Sequence, residues 1–155
     1  MLKDREWIVR HIPHQGTMCL LDEVLEWDAT GVRCLSRAHR SIGNPLRARE
    51  RLAAVCGIEF AAQAMAVHGA LLAGVSAAGR RVGYLASVRG VELHVARLDD
   101  IEEDLVAAAQ LLGGNESTVL YQFSLSAGDR RLLAGRATIV TNPAVVLAGF
   151  TTVSR

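Results

Sequence analysis

Leu52-Ala-Ala-Val-Cys56-Gly57-Ile-Glu59-Phe-Ala-Ala-Gln63-Ala-Met-Ala-Val-His68-Gly-Ala-Leu-Leu-Ala-Gly-Val75 holds a single charged side chain, Glu59, in an otherwise apolar, alanine-rich run. The alanines and the lack of proline favour helix. A helix apolar on every side is a helix enclosed by the rest of its fold. Taking an ionised carboxylate out of water costs several kcal/mol, so Glu59 must be paired, hydrogen-bonded, partly hydrated or protonated. Desolvation is expected to raise its pKa above the ordinary value of about 4.3 and so to make an acid that works near neutral pH. Gln63 lies one turn further along the same face, where its amide is placed to orient Glu59. The competing reading is a structural Glu–Gln pair satisfied inside the core.

Length and composition narrow the options. A chain of 155 residues is the size of one domain with a real core, and residues 1–155 are read as a single domain. Half of the residues are hydrophobic, only 21% are charged, and mean hydropathy is +0.22, which suggests an oligomer that hides further surface. A net charge of +1 and few aromatic residues argue against a nucleic-acid partner. Residues 52–75 are long enough to cross a bilayer, but Glu59, Gln63 and His68 interrupt them and alanine contributes little transfer energy, so no membrane partner is expected. The N-terminus, Met1-Leu-Lys-Asp-Arg-Glu-Trp7, is too polar for a signal peptide. Cys19, Cys34 and Cys56 are odd in number and lack CxxC spacing, which points to reduced thiols in the cytoplasm and no zinc site. With no ligand-spaced cluster and no phosphate-binding glycine loop, neither metal nor cofactor is expected.

Outward from the helix, the flanks read mainly as strands. Cys19–Trp27 and Val32–Ala38 are predicted to form a hairpin through a turn at Asp28–Gly31. His39–Glu50 is aperiodic and reads as a loop leading into the helix. After a break at Ala77–Arg81, strands are expected over Val82–Val88, Val91–Val95 and Leu105–Leu112. A last pair runs through Val119–Leu125 and Leu132–Val140 around a turn at Ala127–Arg130, and Pro143 ends the sheet. The predicted fold is α+β, an antiparallel sheet wrapped around one long central helix, which is the hotdog architecture. Such a sheet leaves a free edge, and pairing two edges gives a homodimer or heterodimer.

Ile12-Pro-His14-Gln-Gly16-Thr-Met18-Cys-Leu-Leu-Asp22-Glu-Val24 resembles the Leu-Pro-His opening of hotdog β-hydroxyacyl-ACP dehydratases, and Gly57-Ile-Glu59-Phe-Ala-Ala-Gln63-Ala resembles their central-helix segment. With Pro-His-x-Gly-x-Met and Gly-Ile-Glu-x-x-Ala-Gln, the chain looks closest to the dehydratase-like proteins of aryl-polyene synthesis. The resemblance implies dehydration of a 3-hydroxyacyl thioester on acyl carrier protein, in fatty-acid or polyene-type synthesis. That chemistry requires a base, an acid and a group that polarises the thioester. Glu59 takes the acid role by residue match.

The family's histidine base, counted back from Glu59, would fall near Pro45, yet Ile42-Gly-Asn44-Pro45-Leu-Arg47 contains no histidine. His14 and His39 are the candidate replacements. His14 otherwise caps the turn, His39 is otherwise a solvated strand end, and His68 is read as packed. Three arrangements meet the gap: an active dehydratase using His14 or His39, a thioesterase using Glu59 alone, or a subunit completed by a second hotdog protein that carries the histidine. A non-catalytic acyl-binding role is a further alternative.

Substrate-binding candidates are Asn44, Arg47, Arg49, Cys56 and Gly57. Backbone N–H groups over residues 54–57 are placed to donate to the thioester oxygen. Gly57 either permits close approach or packs the helix. Arg47, Arg49 and Arg51 either meet a pantetheine phosphate or an acidic carrier protein, or form a solvated basic loop.

Overall fold

The computed structural model describes residues 2–75 and 83–141. Among them runs one antiparallel sheet of strands β1 (Lys3–Asp4), β2 (Glu23–Asp28), β3 (Gly31–Ser36), β4 (Tyr84–Leu93), β5 (Leu105–Gly114), β6 (Thr118–Ala127) and β7 (Arg130–Val140). Their order in space is β1-β2-β3-β5-β6-β7-β4. Two helices accompany it, α1 (Arg5–His11) and α2 (Gly57–Val75).

Helix α2 lies on the sheet and is the long helix expected from its composition. Phe60, Ala61, Gln63, Ala64, Val67 and His68 are fully enclosed, and Phe60 packs in the core with Phe123, Leu125, Leu133, Leu98 and Leu105. Burying each large apolar side chain contributes roughly 1.5–3 kcal/mol, so this face fixes the helix on the sheet. By length and composition the helix could cross a membrane, but here it is the core helix of the fold.

The helix begins later than its composition suggests. Residues 54–56 form a 3-10 turn, while Leu52 and Ala53 are tied to the segment after β4. The Leu52 N–H donates to Asp99 Oδ1 at 2.9 Å, and the Leu98 N–H donates to the Leu52 carbonyl at 2.8 Å. Arg97 holds Asp99 in place and keeps its carboxyl well below the usual carboxylate range.

The β2–β3 hairpin turns where expected, because Asp28 Oδ1 accepts from the N–H groups of Thr30 and Gly31 at 2.8 and 3.0 Å. The pair expected at Val82–Val88 and Val91–Val95 is one strand, β4. Gly90, with φ +58°, is absorbed as an irregularity between Arg89 and Glu92 and makes no turn. Strand β2 starts at Glu23 because residues 16–18 are a 3-10 turn and residues 19–22 are loop. The breaks expected at Ala77–Arg81 and Pro143, and Val82 itself, lie outside the described residues.

Helix α1 was not expected. Its signals are present: Asp4 caps it by accepting from the Trp7 N–H at 2.9 Å, Glu6 sits in the first turn, and Arg10 and His11 sit in the last. Two turns of helix with one buried residue, Ile8, carry too short an apolar period to stand out.

His68 is packed, as expected. Its Nε2 lies 2.9 Å from the Asp28 carbonyl and its Nδ1 lies 2.7 Å from the Tyr121 hydroxyl. A carbonyl only accepts, so Nε2 carries the proton and Nδ1 accepts from Tyr121. His39 is not a solvated strand end: it is fully buried with Nε2 3.0 Å from the Ile101 carbonyl. The short turn at residues 38–40 carries its ring inward under the loop 99–104.

Burial holds both imidazoles below their ordinary pKa of 6.5. The unfolded chain therefore binds protons more readily at these two sites. Their contribution to stability is present in full above 6.5 and is lost as pH falls through that value toward the folded ones. Denaturant titrations between about pH 7.5 and 5 should show falling stability. His68→Gln should remove part of that slope while lowering stability at neutral pH; an unchanged slope would contradict the assignment.

Candidate active site

The loop between α1 and β2 brings His14 to α2. Gly16 takes φ +58° and opens a 3-10 turn in which the Met18 and Cys19 N–H groups donate back to Gln15 and Gly16. Gln15 Nε2 donates to the Val9 carbonyl at 2.8 Å and ties the loop to the end of α1. His14 Nε2 thereby lies 3.1 Å from Glu59 Oε1.

Gln63 completes the arrangement. Its side chain is fully buried; Nε2 donates to the Met18 carbonyl at 2.7 Å and to Glu59 Oε1 at 3.0 Å, and Oε1 accepts from the Leu20 N–H at 2.9 Å. The orienting role expected for Gln63 is thus joined to a second one, fastening the loop to the helix. His14 and Gln63 both address Glu59 Oε1, which leaves Oε2 without a protein partner among the described residues.

Glu59 is a third exposed and His14 about as much, at 27%. The pKa of Glu59 lies below its ordinary value, chiefly through the hydrogen bond from His14, with Gln63 adding to it; burial pushes the other way and loses. The expectation of a raised pKa is corrected on that ground. Desolvation governs an isolated carboxyl, and this one has two donors. Donation to a carboxylate puts a proton on His14 Nε2, while its Nδ1 is buried without a partner among the described residues.

The other expected residues make no hydrogen bond to His14 or Glu59 among the described residues. Asn44 is buried, with Nδ2 donating to the Ala38 carbonyl at 2.8 Å and Oδ1 accepting from the Leu46 N–H at 2.9 Å, so both ends of its amide tie the loop. Arg47 reaches the carbonyls of Glu50 and His39 at 3.4 and 3.5 Å. Arg49 is exposed and, with Arg51, Leu46, Ala48, Ala53 and Cys56, lines a cavity of about 530 Å³. Cys56 is half-buried, its Sγ 3.9 Å from the Leu46 carbonyl.

Gly57 serves packing. A Cβ there would stand 2.5 Å from Leu133 Cδ2 and 2.8 Å from Leu125 Cδ2. The helix start does not offer its N–H groups freely: those of Ala54, Cys56 and Gly57 already donate to the carbonyls of Ala96, Ala53 and Ala54. Arg5 and the backbone of Met18 and Leu20 complete the site; Met18 and Leu20 lie in the quoted motif, but their bonds to Gln63, like those of Arg5 to the loop, are tertiary contacts that the sequence does not signal.

Residues 7–149 match the model of the ApeP-like family, described as ApeP dehydratase. The chain belongs to the ApeP-like dehydratase family. This is the aryl-polyene-associated family named from the two motifs. The fold matches that of the dehydratase heterocomplex ApeI:P from Xenorhabdus doucetiae with a TM-score of 0.79 at 22% identity, over 93% of this chain and 96% of that one. A mutant thioesterase from Pseudomonas aeruginosa matches with a TM-score of 0.61 at 13% identity, over 90% and 94% of the two chains. A hypothetical thioesterase with coenzyme A from Streptococcus pneumoniae gives 0.54 at 11% identity, over 77% and 84%. These likenesses establish the hotdog fold. No curated protein matches the sequence.

In this ApeP-like chain, Gly57→Ala should lower stability by about 1–3 kcal/mol, because two leucines of the sheet must shift to admit one methyl group. Chemical denaturation measures it. An unchanged midpoint would show that the glycine is not needed for packing and would return it to the list of substrate-approach positions.

Proposed function

We propose that this ApeP-like protein dehydrates 3-hydroxyacyl thioesters carried on an acyl carrier protein, as one half of a composite site whose α-proton acceptor is a histidine of a second hotdog chain. The observation that carries this reading is the fate of the five histidines. Only His14 touches Glu59. His39, the nearest upstream of the position where the family places its base, is buried on the Ile101 carbonyl. His68 is enclosed by Tyr121 and Asp28, His11 stacks on Trp7 with ring centroids 4.0 Å apart, and His94 faces Glu92 at 3.7 Å.

The place for the second chain is the free edge of β4. Tyr84, Leu85 and Leu93 are 54%, 44% and 47% exposed on a strand that, among the described residues, is bonded to β7 on one side only. A long apolar edge of this kind is covered in stable proteins. In the reaction, the partner's imidazole takes the proton from C2, the C2–C3 double bond forms as the C3–O bond breaks, and the oxygen leaves as water. The His14–Glu59 pair supplies the proton that this oxygen needs. It ends as carboxylate and neutral imidazole, and protons return through solvent. Arg49 and Arg51 beside the Cys56 cavity are the groups for the pantetheine phosphate.

A second reading, thioester hydrolysis by Glu59 alone, draws support from the same lowered pKa, since an ionised carboxylate is ready to act as base or nucleophile.

The test offers 3-hydroxyacyl-ACP to the chain alone and to the chain co-purified with a hotdog protein bearing a histidine before its central helix, following enoyl and free thiol together. Enoyl should form with the pair only and fall by about a hundredfold or more in Glu59→Gln. Enoyl from the chain alone would overturn the composite site. Thiol release would make the protein a thioesterase.

A further inference from the structure

His14 reaches Glu59 without an anchor of its own. Its Nδ1 makes no hydrogen bond among the described residues, so no second bond to the ring fixes where Nε2 points. The position of the ring is inherited from the backbone of the loop, which belongs to neither helix nor sheet. What holds that backbone therefore decides whether His14 meets Glu59.

The carbonyls of the loop show how it is held. Those of Gly16, Met18, Cys19, Leu20 and Leu21 each accept from a side chain. Gln63 takes Met18, Ser36 takes Leu20, and Arg5 takes the remaining three. Arg5 Nη1 donates to Cys19 at 2.6 Å and to Leu21 at 3.3 Å, and Nη2 donates to Gly16 at 2.9 Å; Asp22 stands 3.9 Å from the same guanidinium. A planar fork with several donors spans three carbonyls that turn around one point, which a lysine ammonium does not do. Arg5 opens α1, and the Asp4 cap fixes the start of that helix. The other end of α1 is joined to the loop through Gln15 and the Val9 carbonyl.

We infer that Arg5 is the positioning residue of the site: by gathering the carbonyls of residues 16, 19 and 21 it holds the loop in the one conformation that brings His14 Nε2 to Glu59. Gln63 secures the same loop from the helix side through Met18 and Leu20, positions that alternate with those held by Arg5. The inference concerns how the His14–Glu59 contact is maintained, and it rests on the proposed function only for the use to which that contact is put.

The experiment is a double-mutant cycle read on the titration of Glu59, followed by its side-chain carboxyl carbon resonance in the full chain. His14→Ala removes the donor that lowers the Glu59 pKa, so the titration moves up. Arg5→Ala is expected to move it up as well, and to add nothing in the His14→Ala background. Arg5→Lys is expected to shift it part of the way, and serves as the readout if Arg5→Ala does not fold. A purely structural role would lower the melting temperature and leave the titration in place. A through-space effect of the Arg5 charge would raise it equally in both backgrounds. Either result overturns the assignment. Because no turnover is measured, failure of the dehydratase reading is a separate result: it would appear as absent enoyl product with the cycle intact.

Discussion

The buried amide of Gln63 is the interaction on which the site depends. It has two donors and one acceptor atom, and it spends them on the Met18 carbonyl, Glu59 Oε1 and the Leu20 N–H. A fully enclosed amide left unpaired costs about 1–3 kcal/mol per group, so these bonds form together or the segment does not close. By closing, they join a loop near the N-terminus to the central helix and turn the carboxylate toward His14. The orientation of Glu59 and the path of the loop are two consequences of one side chain.

The helix that carries Gln63 is held by contacts of another kind. Its inner face is apolar and its first turn meets the sheet through Gly57, with the leucines of β6 and β7 filling the space of the absent side chain. Leu52, ahead of that turn, is pinned by Asp99. The polar loop contacts thus rest on a helix whose height above the sheet is set by packing. This division suits a reactive pair: core packing fixes the helix, while the hydrogen bonds fix the ring and the carboxyl that ride on it.

Much of the fold was legible in the residues. The apolar run announced an enclosed helix, the alternation in β6 announced a strand, and Asp28 with Gly31 announced a turn; each is a pattern confined to a few neighbouring positions. The pairing of Glu59 with Gln63 was legible for the same reason, being one helical turn. Misread features had causes that are not local. Gly90 looked like a turn but sits in a strand whose two halves both pair with β7. His39 looked exposed but is covered by residues some sixty positions away, at Ile101.

The sequence by itself determined the identity of the central helix, the presence of a lone carboxylate within it and the absence of a histidine just before it, because composition and spacing along the chain suffice for these. Tertiary structure alone decided the state of that carboxylate. Burial by itself would raise its pKa, and it is lowered because His14, forty-five positions earlier, is carried to 3.1 Å by a loop that Arg5 and Gln63 hold. The direction of such a shift depends on which donors arrive, and their arrival is a matter of distance in space, which spacing in the chain does not encode.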